Sequence, residues 1–249
     1  MSADKEEKDY GRHNKVLTVI NTIISALFTL LFLAILILTE QGFFRLIISA
    51  VWLIYNIGCL IAGAKKNKNI VSILSCVIVI PMLWFMSAFP IRLKSETQWR
   101  YNFQRQYIRF FKSYTFKHTP DELPDEIEDY CLDYQPSLGQ GAGHSNVRFK
   151  ASEEIIKAYE SEYAPKAIYT YPLSSFEEGS VSVEEVSPEA QTEWENDTSL
   201  VIHRDIDFWK DNTTAMVYVL SATHNWNHPH STAVIIDSEN GMIEFAQIG

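Results

Sequence analysis

The chain has 249 residues, 47% of them hydrophobic, and carries 21 Lys and Arg against 31 Asp and Glu. The charge is split along the chain: residues 1–117 hold 15 basic and 6 acidic side chains (+9), whereas residues 118–249 hold 6 and 25 (−19). The acidic half would repel nucleic-acid phosphates, which excludes nucleic acid as a partner, and three scattered cysteines (Cys59, Cys76 and Cys131) exclude a disulfide-stapled fold.

A polar tail, residues 1–15, leads into three apolar stretches at 16–38, 46–64 and 70–89, free of charged side chains. Each is about 20 residues long, enough for a helix to cross a ~30 Å hydrocarbon layer. The expected membrane part is therefore a three-helix transmembrane region over residues 16–92. The first stretch is too long for the apolar region of a signal peptide, and no small-residue cleavage site follows it. The stretches contain Asn21, Asn56 and Pro81 but no ionisable group. An ion path normally needs one, so a self-contained transporter is disfavoured and interhelical contacts are the expected role of the Asn residues. Pro81 should kink the third helix. Lys65, Lys66 and Lys68 in the second loop, against Arg45 in the first, place the amino terminus in the cytoplasm and the carboxyl-terminal domain outside it, in a multi-pass cell-membrane protein. Arg92, Lys94, Arg100, Arg105 and Arg109, which follow the third stretch, pull the other way.

Residues 93–117 read as a basic, aromatic connecting helix. Ser95 with Gln98 has the spacing of a capping box. At 100° per residue, Trp99, Phe103, Tyr107, Phe110, Phe111 and Tyr114 fall within an arc of about 120°. Arg105, Arg109 and Lys112 fall opposite; Arg100 does not. One reading buries the aromatic face against the soluble domain. The other lays the helix at the membrane interface, with Trp99 and Phe103 at headgroup level and Arg105, Arg109 and Lys112 on lipid phosphate. Pro120 and Pro124 end this helix.

Residues 118–249 should form an acidic α+β domain with an antiparallel sheet. Alternation over 130–134 and 147–149 predicts a long-looped hairpin around Gly139, Gly141 and Gly143. Ser152, followed by Glu153 and Glu154, predicts the start of a helix ending before Pro165. A strand is expected at 167–171, an exposed acidic excursion with a short helix at 176–197, and a three-stranded meander from 215–223, 232–237 and 242–247. Asn240 with Gly241 gives the last of these a tight hairpin.

Candidate chemistry is sparse. His224, His228 and His230 lie within seven residues, and an imidazole set of this kind points to zinc if the side chains converge; otherwise no cofactor is expected. The glycine-rich loop is followed by a strand rather than a helix, so it lacks the context of a nucleotide fingerprint. His203, Arg204 and Asp205 echo kinase catalytic letters without the accompanying asparagine. The acidic run lacks the spacing of a calcium loop, and Cys131 reads as a small core residue. The leading expectation is a membrane-anchored, non-enzymatic binding or assembly module whose partners are the lipid bilayer and a protein or envelope component. The alternatives are a membrane-bound metal-dependent enzyme built on the three histidines and an accessory subunit of a transport or secretion complex.

Overall fold

The structure is a computed structural model that describes residues 3–61, 69–88, 91–111, 118–137, 142–176, 180–182, 199–210, 212, 214–223 and 230–249. It divides into two compact units, Met1–Ile91 and Arg92–Gly249.

The first unit contains helices α1 (Ala3–Thr39), α2 (Phe43–Ile61) and α3 (Asn69–Ala88). A tight turn with Glu40 (φ 61°) and Gly42 (φ 91°) reverses the chain between α1 and α2. Thr39 fixes the entry: its hydroxyl donates to the Ile35 carbonyl at 2.6 Å and accepts from the Gln41 amide at 3.3 Å. The buried side chains of α2 are Ser49, Trp52, Asn56 and Cys59, spaced three and four apart, so they form one stripe. On α1, Thr18, Asn21 and Ser25 are likewise buried, while Val16, Ile23, Leu27, Leu30 and Ile37 are exposed. Phe32, Trp52 and Leu83 form the apolar centre of the unit. Over 15–39 and 43–61, α1 and α2 are long and apolar enough to cross a membrane. The described apolar stretch of α3, Val77–Ser87, is shorter, so two candidate spans stand where the sequence predicts three.

The second unit is an α+β domain. Strands β1 (Leu93–Ser95), β2 (Glu128–Gln135), β3 (His144–Lys150), β4 (Tyr169–Pro172), β7 (Met216–Thr223), β8 (His230–Asp237) and β9 (Met242–Ile248) form one sheet in the order β1-β2-β3-β9-β8-β7-β4. Every pair in it is antiparallel. Two short strands, β5 (Ser180–Ser182) and β6 (Ser199–Val201), pair separately. The expected meander is β7-β8-β9. Its last turn is a four-residue loop rather than a two-residue one: the Asp237 carboxylate accepts the Glu239 and Asn240 amides at 3.0 Å, and Gly241 takes the positive φ of 65°.

Both faces of the sheet are covered. On one, helix α5 (Glu153–Tyr163) packs Tyr159 and Tyr163 onto Phe149 and Phe245. Ser152 caps this helix, its hydroxyl accepting from the Ile155 amide. Helix α4 (Tyr101–Phe110) buries Tyr101, Gln104, Arg105 and Ile108. The other face is covered by residues 173–176, by β6 and by the loop residues 202–210, 212, 214 and 215. They bring Leu173, Phe176, Leu200, Ile202 and Trp209 onto Val217, Val219, Ala233, Ile235 and Ala246.

Two expectations for the connecting segment are corrected here. Ser95 ends β1 and accepts only from the Thr97 amide, while Gln98 donates to the Pro124 carbonyl, so no capping box forms. The face of α4 that is buried is the one opposite the aromatic arc. Trp99, Phe103 and Phe110 remain 59%, 48% and 78% exposed, so the reading that buries them in the domain fails. Ile108 and Tyr101 suffice for the packing, and the larger aromatic set is left outside.

Candidate functional site

The register places alternate residues of the strands on the loop-covered face. One row runs Tyr171, Val217, Ile235, Glu244, Arg148, Cys131, and its neighbour runs Tyr169, Val219, Ala233, Ala246, Asn146, Asp133, Lys94. The face therefore changes character across the sheet, apolar from β4 to Ala246 on β9 and largely polar over Glu244, Arg148, Asn146, Asp133 and Lys94. The polar half, roofed by residues 203–209, is the candidate site.

Glu244 is its centre. It lies on an inner strand and is wholly buried. Its carboxylate accepts from the Asn146 side-chain amide, from Trp209 Nε1 and from the Asp205 backbone N–H at 2.9 Å. Burial outweighs these donors and pushes its pKa up to about 7. Asn146 also donates to the His203 carbonyl at 2.7 Å, which leaves its oxygen, 3.1 Å from His203 Nδ1, as the acceptor. Strand residue and roof are thus locked together through one carboxylate and one amide.

The His203 ring lies flat on His144, with centroids 3.6 Å apart and planes 9° apart. Burial, and the neighbouring His144, bring the pKa of His203 down to about 4. His144 Nε2 lies 3.6 Å from Asp133, whose other partner is Arg92 at 3.3 Å. Burial raises the Asp133 pKa, but the nearby His144 ring and the Arg92 guanidinium carry it below the ordinary value. Arg148 donates to Asp205 at 2.6 Å and to the Asp129 carbonyl at 2.7 Å, and lies 4.6 Å above the Phe208 ring.

Between these groups is an open cavity of about 210 Å³ whose walls include Lys94, Cys131, Asp133, Arg148, His203 and Asp207. It is large enough for a small polar ligand and carries both signs of charge. The thiol in its wall is a weak nucleophile, because burial raises the Cys131 pKa to about 11. Among the described residues, no three His, Cys, Asp or Glu side chains are grouped to hold a metal ion. The arrangement can bind and orient; the strongest hydrogen bonds serve to hold the roof.

The described sequence-predicted site residues, His230, Trp99, Phe103, Arg105 and Arg109, do not line this cavity. His230 is the exposed first residue of β8, its ring close to Gly249. His224 and His228 lie outside the described residues, as do Lys112, Tyr114 and the excursion over 183–198. Phe103 and Arg109 are exposed on α4, and Trp99 is exposed in the turn that leads into it. Arg105 is buried and ion-paired with Asp121, whereas Arg109 is half exposed. The polar half-face was missed because Asp133, His144, Asn146, His203 and Glu244 are scattered over more than 100 residues. The one local signal was an acid inside the apolar run Ile243, Glu244, Phe245. Comparison with family models, curated proteins and solved structures finds no match.

Proposed function

We propose that the chain is a membrane-anchored, non-enzymatic binding or assembly module, with α3 as a third span and an extracytoplasmic domain that engages a protein or envelope component. The observation that carries this reading is the dress of the first two helices. Asn21, Ser25, Ser49 and Asn56 are wholly buried, while Val16, Leu27, Ile54 and Ile61 point outward at 52–83% exposure. A soluble helix pair puts its apolar side inward; polar side chains inside and aliphatic ones outside suit helices whose solvent is hydrocarbon. The exposed aromatic face of α4, flanked by Arg100 and Arg109, supports an interfacial helix lying on the same bilayer. The small mixed-charge cavity with its unreactive thiol favours recognition over chemistry.

Alkaline extraction of membranes, followed by reporters fused after Gly249, tests the anchor and the topology. The chain should stay in the pellet, with alkaline phosphatase active and a cytoplasmic reporter silent; release into the supernatant would overturn the anchor. Co-purification in mild detergent tests the module, and a solitary monomer would count against assembly.

A further inference from the structure

We propose that the cleft between α4 and α5 is a binding site for the phosphate headgroup of an anionic phospholipid; the inference rests on the interfacial reading of α4 and extends it to a lipid class. The cleft encloses about 510 Å³ and is walled by Arg105 and Arg109 of α4, Asp121 of the following loop, Glu162 of α5 and Lys166 just beyond it. Three cations thus face two carboxylates in a unit, Arg92–Gly249, that as a whole carries 13 Lys and Arg against 26 Asp and Glu. Arg105 is buried against Asp121 and uses most of that charge. Arg109 shares the same oxygen only at 3.3 Å and is 52% exposed, and Lys166, 2.7 Å from Glu162, is 56% exposed. Both can turn toward an added anion without unburying anything.

Placement selects the source of that anion. On α4 the exposed Phe103 and Phe110 lie in one arc, about 20° apart, with the exposed Trp99 in the 3-10 turn just before the helix, and Arg109 lies on the flank, about 100° from Phe110 at 100° per residue. A helix that seats such an arc at the acyl boundary holds its flanking cations at the level of the lipid phosphates. Arg100, 4.9 Å from the Trp99 ring centre, borders the arc on its other side. A dissolved polyanion would meet the repulsion of the acidic domain and would leave the three aromatics uncovered.

The test uses the full chain. In mild detergent, native mass spectrometry follows titration with dioleoylphosphatidylglycerol or dioleoylphosphatidylcholine. Wild type should prefer phosphatidylglycerol. Arg109→Gln with Lys166→Gln should weaken that binding about 30-fold at low salt, two cations being removed from the surface. Lys157→Gln with Lys210→Gln, an equal charge loss at exposed positions outside the cleft, should change nothing, and the charge-preserving pair Arg109→Lys with Lys166→Arg should retain affinity. In nanodiscs, quenching by dibrominated phosphatidylcholine, taken as the difference between wild type and Trp99→Tyr, reports whether α4 reaches the bilayer. Quenching with equal lipid affinity in wild type and the Gln pair overturns the headgroup site alone. Absence of a Trp99 contribution overturns the interfacial reading and the site with it.

Discussion

Glu244 and His203 make opposite demands on pH, and removing either should expose the other. The Glu244 carboxyl titrates at about 7 in the fold against an ordinary 4.5. The folded state therefore holds more protons than the unfolded chain between these values, and this group adds stability as pH falls from 7 to 4.5. The His203 imidazole titrates at about 4 against an ordinary 6.5. There the unfolded chain holds more protons, and stability is lost as pH falls from 6.5 to 4. At about 1.4 kcal/mol per pH unit each, the two contributions cancel between about 4.5 and 6.5. Glu244→Gln deletes one of them. Relative to wild type it should lose about 2.7 kcal/mol more on going from pH 6.5 to 4.5, on top of a pH-independent cost of about 1–3 kcal/mol. That fixed cost arises because a Gln amide must turn its NH₂ toward one of the donors Asn146, Trp209 or the Asp205 N–H. His203→Gln should show the reverse slope. Chemical denaturation of the full chain in detergent, followed by near-UV circular dichroism at a series of pH values, measures both. Parallel pH curves for wild type and Glu244→Gln would refute the reasoning.

Three further substitutions probe other parts of the argument. Trp209→Phe removes one donor to Glu244 and opens a gap; it should cost about 2 kcal/mol or more and extend the loss of stability to higher pH, read from the same denaturation series. Gly241→Ala forces an L residue to φ 65° and sets its Cβ 2.4 Å from the Ala151 carbonyl oxygen, so a loss of about 2 kcal/mol is expected, with the β8–β9 turn losing hydrogen-exchange protection. Phe110→Ser lies outside the packed face of α4 and should shift domain stability by no more than about 0.5 kcal/mol, while weakening the bilayer contact seen by lipid quenching.

The sequence announced the elements better than their surroundings. Ser152, Pro165 and the alternating carboxyl-terminal strands mark local events, each decided by a few adjacent residues, and α5 and the meander lie where those signals put them. The periodicity of α4 is equally legible, yet period alone does not tell which side faces protein. That was settled by Tyr101 and Ile108 meeting the domain, leaving a larger apolar face outside. The polar half-face was hidden for a different reason. Alternation directs Glu244 away from the face of Ile243 and Phe245, which in a one-sided sheet means water. Here residues 199–210 return over that side, and the carboxylate acquires its meaning only from a segment some 40 residues away.

The ends of the main sheet bear on how copies of the domain can meet. Its outermost strands are stubs: β1 has three residues and β4 four, closing on Pro172, which offers no N–H. Unguarded edges would let neighbouring sheets zip into one another. With strands this short at either margin, an edge-to-edge partner finds few backbone groups to pair with.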